Sequence, residues 1–242
     1  MTHVLAVLGG GMADVSVTGT AEVVAKIAHA QVRRVSLAAD LSAEGAAAAV
    51  LRALHSPSGV LAVLAGDEPS RPVWRRVVQH SARPVILVPA AARGRRRQMR
   101  RVLVPLDGTA ESAAAVAETV EQFARAGVDL VVLHVFDAET VPRFWDQAAH
   151  ARGAWEEEFL ARYCAQPGVR LELRSGVAGE HVLEVAEAER ADMIALGWSQ
   201  QLDPGRARTV RRAVLDAVVP VMLVPLASKW RDVGHCQQAE PP

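Results

Sequence analysis

The chain repeats itself, and that repeat limits the fold more than any other feature. Val4-Leu5-Ala6-Val7-Leu8-Gly9-Gly10 lies against Val102-Leu103-Val104-Pro105-Leu106-Asp107-Gly108 without a gap. Arg83-Pro84-Val85-Ile86-Leu87-Val88-Pro89 lies against Val219-Pro220-Val221-Met222-Leu223-Val224-Pro225. Counted back from those final prolines, Arg75-Arg76 falls on Arg211-Arg212, and between the ends the run 59–66 matches 192–197. Self-similarity of this kind marks a duplicated unit. Two homologous copies are expected, 1–91 and 102–227, with a linker at 92–101 and a mobile tail at 228–242.

Each matched segment is a short run of Val, Leu and Ile closed by Pro or Gly, the pattern of a strand buried on both faces. In copy one such strands are expected at 3–8, 32–38, 60–65 and 84–88. Helices are expected near 19–30, from a Ser42 cap to His55, and near 71–81, with Gly9-Gly10-Gly11 in a mobile loop. Copy two carries one strand more: 102–105, 129–135, 169–174, 192–197 and 220–225. Its helices are expected near 110–126, 149–164, 179–189 and 207–217. Strands alternating with helices predict an α/β fold with a parallel sheet.

Composition excludes several classes. Half of the residues are hydrophobic, ample for a packed core, and only 4% are aromatic, which suits Ala/Val/Leu-rich helices on a sheet. Lys plus Arg and Asp plus Glu are 27 each, so no overall field draws nucleic acid or an anionic membrane. The arginines clustered at 93–101 lack interleaved aromatics and read as a solvated linker. Cys164 and Cys236 form no CxxC, which fits a reducing compartment. With no signal peptide and no span of sufficient length, a cytoplasmic protein is expected.

The most informative stretch is Arg101–Thr109. Val102-Leu103-Val104 forms the strand, Pro105 and Gly108 end it, and Asp107 stands at its carboxyl end, where open parallel sheets bind ligands. Thr109 is placed to cap a helix whose apolar face is Ala113, Val116, Val120 and Phe123. With Leu-His-Val at 133–135, Ala-Asp-Met-Ile-Ala-Leu-Gly at 191–197 and Val-Pro-Val-Met-Leu-Val-Pro at 219–225, it resembles the universal stress protein family. The resemblance covers 101–226 well and the first ninety or so residues more weakly. It implies two flavodoxin-like or Rossmann-like open parallel sheets, with strand order 3-2-1-4-5 in copy two.

The resemblance also implies an adenine-nucleotide site in copy two, with ATP and magnesium as the cofactor. Carried over, the residues around the adenosine are Pro105, Asp107 with its neighbour Gly108, and Val135. A carboxylate can accept ribose hydroxyls, yet Asp-Gly is also a common turn that caps a helix, and both readings of Asp107 stay open. The phosphate half departs from the pattern, which is Gly-x-x-Gly and, after a spacer, Gly-Ser or Gly-Thr. Gly197 is present, Gln200 replaces the second glycine, the spacer is shorter, and Arg208-Thr209 fills the last position. Either Gly205, Arg206, Arg208 and Thr209 hold an anion by charge and a helix N-terminus, or the site has decayed. Copy one has Gly9 in place of the aspartate and Asp67-Glu68 after Gly66, so no nucleotide is expected there.

Phe144, Trp145, Trp155, Phe159 and Tyr163 are half of all the aromatics. The last three share a helix face and read as a core stripe on the sheet; Phe144 and Trp145 suggest a lid. His134 reads as a hydrogen-bonded core residue. No nucleophile–base pair and no metal-ligand spacing is found, so no catalytic or metal residue is expected. Three classes of function follow: a non-enzymatic stress or signalling protein acting through protein partners, an ATP-dependent sensor, and a nucleotide-using enzyme. The apolar strands 84–88 and 220–225 would each leave an open edge, so they are expected to pair with each other as a dimer inside one chain. Further homodimerisation stays open, with no sequence pattern to support it.

Overall fold

The computed structural model describes residues 1–92, 98–137, 140, 149–200 and 207–226. The first half is β1 (His3–Leu8), α1 (Asp14–Ile27), β2 (Gln31–Ser36), α2 (Ala43–Leu54), β3 (Gly59–Ala65), α3 (Arg71–His80) and β4 (Val85–Val88). A short 3-10 turn, Ala90–Ala92, follows. The second half is β5 (Arg101–Pro105), α4 (Ala110–Arg125), β6 (Asp129–Phe136), α5 (Ala149–Tyr163), β7 (Arg170–Ser175), α6 (Ala178–Ala188), β8 (Met193–Trp198), α7 (Arg208–Asp216) and β9 (Val221–Pro225).

The nine strands of the described residues lie in one sheet, ordered β2-β1-β3-β4-β9-β8-β5-β6-β7. Within the second half this is the expected 3-2-1-4-5. The two halves share one ladder: β4 and β9 run antiparallel, with Val85 opposite Leu223, Ile86 opposite Met222 and Leu87 opposite Val221. The strands expected to pair therefore do so, and the sheet is continuous across the seam. Every other strand pair is parallel.

Helices cover both faces of the sheet. Residues one apart on a strand go to opposite layers, so Leu5 and Val7 join one cluster and Val4 and Ala6 the other. One layer holds α2, α3, α6 and α7, the other α1, α4 and α5. Each cluster takes residues from both halves, so apolar burial binds them into one body. The outer strands are polar: β2 exposes Arg33 and Arg34, and β7 pairs Arg174 with Glu172 and Arg170 with Glu189. Such edges do not recruit a further strand.

Local chemistry explains most boundaries. Ser42 caps α2, accepting the Gly45 N–H at 3.1 Å, and Thr109 caps α4, accepting the Ser112 N–H at 3.2 Å. The helix α1 starts at Asp14, earlier than the expected 19. The Asp14 carboxylate accepts the N–H groups of Gly9 and Gly10 at 3.0 and 2.9 Å, which closes the loop and begins the helix at once. Arg101 opens β5 instead of ending the linker, and its guanidinium meets Glu189 and Asp129. Arg93, Arg95, Arg96 and Arg97 of the linker and the tail 228–242 lie outside the described residues. No helix among the described residues is long and apolar enough to cross a membrane.

Candidate functional site

A cavity of about 600 Å³ opens at the carboxyl ends of β5, β6 and β8. This is the switch point of the second half, where β5 sends its chain to one side and β8 lies on the other. The volume falls within the range of small-molecule sites. Of the residues expected at a site, Pro105, Asp107, Gly108, Val135, Gly197 and Thr209 all line it. Arg208 is exposed at the start of α7 and is not in the lining. Gly205 and Arg206 lie outside the described residues, as do Phe144 and Trp145 of the proposed lid.

Asp107 is held in place by the turn it begins. Its Oδ1 accepts the Thr109 N–H at 2.9 Å, the Thr109 hydroxyl at 2.7 Å and the Ser112 hydroxyl at 2.5 Å. Burial by itself pushes this carboxyl up. The hydrogen bonds from Ser112 and Thr109 outweigh it and hold the group below its ordinary value. Asp107 is therefore a fixed carboxylate at neutral pH. It serves the turn through one oxygen and stands in the cavity wall, so the turn role and a ligand role are compatible.

The turn also needs its glycine. Gly108 sits at φ +80°, and a Cβ there would come within 3.1 Å of His134 Cε1. His134 is buried as expected, and its Nδ1–H donates to the Leu106 carbonyl at 2.9 Å, tying β6 to the end of β5. Around it the rings form a wall: Phe136 at 4.7 Å, Phe159 at 4.8 Å and Trp155 at 5.7 Å between centroids. Phe159 in turn meets Tyr163 at 4.8 Å. The aromatic stripe of α5 is thus both core and cavity wall. Its i, i+4, i+8 spacing pointed to a shared face but not to the space beside it. Ser112 was missed altogether; the only signal was a hydroxyl one turn into α4.

The phosphate half is built differently from the glycine-rich pattern. Gln200 stands where the second glycine is expected and takes its left-handed backbone, φ 63°. Its side-chain amide donates to the Ser81 carbonyl, just past α3 in the first half. Trp198 does likewise, its Nε1–H reaching the Val78 carbonyl at 3.3 Å. Trp198 and Gln200 are therefore fastened to the other half of the molecule. The described charged residues of the lining are Asp107, Asp137 and Glu158 against Arg162. Thr209 remains in the wall, in the first turn of α7.

Among the described residues no group of three His, Cys, Asp or Glu side chains could hold a metal ion. Cys164 is buried in the layer of α1, α4 and α5, and burial pushes its thiol up. In the first half the place of Asp107 is taken by Gly9, and the nearby N–H groups are already occupied by Asp14.

Comparison with known proteins agrees with this architecture. The model of the universal stress protein family matches residues 99–225. A universal stress protein from Archaeoglobus fulgidus DSM 4304 superposes with a TM-score of 0.56 at 15% identity, over 93% of this chain and 86% of its own. A functionally unknown protein from Pseudomonas aeruginosa PAO1 superposes with a TM-score of 0.58 at 13% identity, over 93% and 82%. A universal stress protein in complex with cAMP aligns over 53% of this chain and 98% of its own, at 19% identity and a TM-score of 0.41. No curated protein matches the sequence significantly.

Proposed function

This chain belongs to the universal stress protein family, and on that premise we propose that it is a non-catalytic stress-response protein whose cavity takes an adenine nucleoside but holds a polyphosphate weakly. One observation carries the reading: the nucleoside half lines the cavity as the resemblance implies, while at the second glycine position of the phosphate half the side chain points elsewhere. Pro105, Asp107, Gly108 and Val135 share one cavity, whereas Gln200 has turned its amide to Ser81. In this reading the fixed Asp107 carboxylate accepts the ribose hydroxyls. Val135 and Pro105 flank the base.

The charge of the described lining supports the same reading, since three carboxylates to one guanidinium among the described residues would disfavour phosphates. For a non-catalytic role the support is the commitment of the polar groups. Asp107 holds the α4 turn and is held charged, and His134 Nδ1 is spent on Leu106. We assign magnesium no role of its own, because its place in such a site is beside the phosphates. The second reading, an ATP-binding sensor, rests on Thr209, which keeps a hydroxyl in the first turn of α7 against the cavity.

The experiment is a calorimetric titration of the full chain with adenosine, repeated on Asp107→Ala. Saturable binding that disappears in the variant is expected. Adenosine binding unchanged in the variant would remove the nucleoside from this cavity.

A further inference from the structure

Trp198, whose indole reaches the first half, also borders a second, smaller feature beside α7. At the seam, α3 and α7 enclose a cavity of about 100 Å³ with Trp74, Trp198, Val214 and Leu215 in its wall. Its rim is formed by Arg71, Arg75 and Arg211. Arg75 and Arg211 are equivalent positions of the internal repeat, and the antiparallel pairing of β4 with β9 brings them to opposite sides of one opening.

The surrounding face is strongly basic in a chain of zero net charge. Helices α3 and α7 carry six arginines and one carboxylate, Asp216. Arg71 is satisfied by Glu68, at 2.8 and 3.1 Å, and Arg212 by Asp216 at 2.8 Å. Arg75 and Arg211 are exposed, and their guanidinium groups have no ion pair or hydrogen bond among the described residues. Beside them Leu215 is 49% exposed.

An apolar hole with a guanidinium on each side selects its occupant. About 100 Å³ suits one bulky aliphatic or aromatic side chain and is well below the size of a site for a whole small ligand. Arginine forks match carboxylates in geometry as well as charge. Nucleic acid fits poorly, because Trp74 and Trp198 are only 8% and 3% exposed and offer no face on which a base could stack. We propose that the α3–α7 face docks an acidic peptide segment of a partner protein, with one bulky apolar side chain in the seam cavity and flanking carboxylates on Arg75 and Arg211.

The test is selection of a display library of short random peptides on the full chain, followed by anisotropy measurements with a labelled peptide from the enriched set. The enriched peptides are expected to carry Asp and Glu around a single Leu, Ile or Phe. Replacing that anchor with Ala should weaken binding roughly tenfold or more, the worth of one buried side chain. The double variant Arg75→Glu/Arg211→Glu should abolish binding and leave the thermal melt unchanged, because both side chains are exposed. Arg33→Glu/Arg34→Glu, on the far sheet edge, should bind as the parent does. Enrichment of non-acidic peptides, equal binding to the Arg75/Arg211 variant, or no enrichment would overturn the proposal. Tighter binding of a single-stranded oligonucleotide, lost in the same variant, would overturn it in favour of nucleic acid.

Discussion

The two halves reach the same place in the sheet by the same strand and turn, and then diverge. After β5 the chain reads Leu106-Asp107-Gly108-Thr109, and a carboxylate ahead of the helix stands at a cavity. At the end of β1 it reads Leu8-Gly9-Gly10-Gly11, and the carboxylate comes later, from Asp14 inside the helix, folding back onto the glycine N–H groups. The first arrangement leaves a fixed acceptor for a ligand. The second uses its own side chain as the anion. Moving one carboxylate along the chain separates a turn that can serve a site from a turn that serves only itself.

The contrast can be tested from its largest consequence downward. The first half is bound to the second through the seam, so Ile86→Ala, at a fully buried seam position, should cost about 2–5 kcal/mol. Urea unfolding should show this as one shifted transition; a separate early transition of the first half would mean that the halves are independent. Gly108→Ala should cost about 1–3 kcal/mol, since it meets both a left-handed φ and the His134 ring. Its counterpart in the self-alignment, Gly10, is also left-handed at φ +80° but has open space around it, so Gly10→Ala should cost less, about 1 kcal/mol. Equal melting shifts for the two would deny that the second-half turn is packed against its cavity wall. Asp14→Ala removes the acceptor of two N–H groups and should cost about 1 kcal/mol, with faster hydrogen exchange at Gly9 and Gly10.

The smallest effects are in pH. Asp107 has a folded pKa below its unfolded value, so its contribution to stability is complete above the unfolded value, about 4, and is lost as pH falls through the folded one. The stability gap between the parent and Asp107→Asn should therefore close only in acid. In the first half His55 is the responsive group. Burial, assisted by Arg83, lowers its pKa, and its ring nitrogen Nε2 accepts the Ala82 N–H at 3.1 Å. Its contribution is complete above about pH 6.5 and declines as the pH falls through the folded value. A His55→Gln variant should be less sensitive than the parent to acidification from pH 7 to 5, and equal sensitivity would remove His55 as the cause.

Much of this was legible because it is local. The strand runs, the Ser42 and Thr109 caps and the apolar edges of β4 and β9 follow from residue type and spacing, and the strand order follows from the family resemblance. Asp107 was placed by its position at the end of a parallel strand, and Pro105, Val135 and Gly197 were joined to it by the family resemblance. What was hidden depends on distance along the chain. The amide of Gln200 and the indole of Trp198 find carbonyls 119 and 120 positions away, and no local pattern shows such a partner. The early start of α1 was missed because Gly9-Gly10-Gly11 reads as a mobile loop until Asp14 is seen to bind it. The aromatic wall was seen as a stripe and not as a wall, since periodicity gives a face and not the shape of the space next to it.

The central claim is that the nucleoside half of the site survives, whereas the phosphate half is weakened by the tie of Gln200 to the other half of the molecule. Parallel calorimetric titrations of the full chain with adenosine and with magnesium–ATP test it most directly. The account predicts that adenosine binds at least as tightly as ATP, because Gln200 is engaged with Ser81 and the described lining is acidic. ATP binding more than about tenfold tighter than adenosine, equivalent to about 1.4 kcal/mol gained from the phosphates, would contradict it.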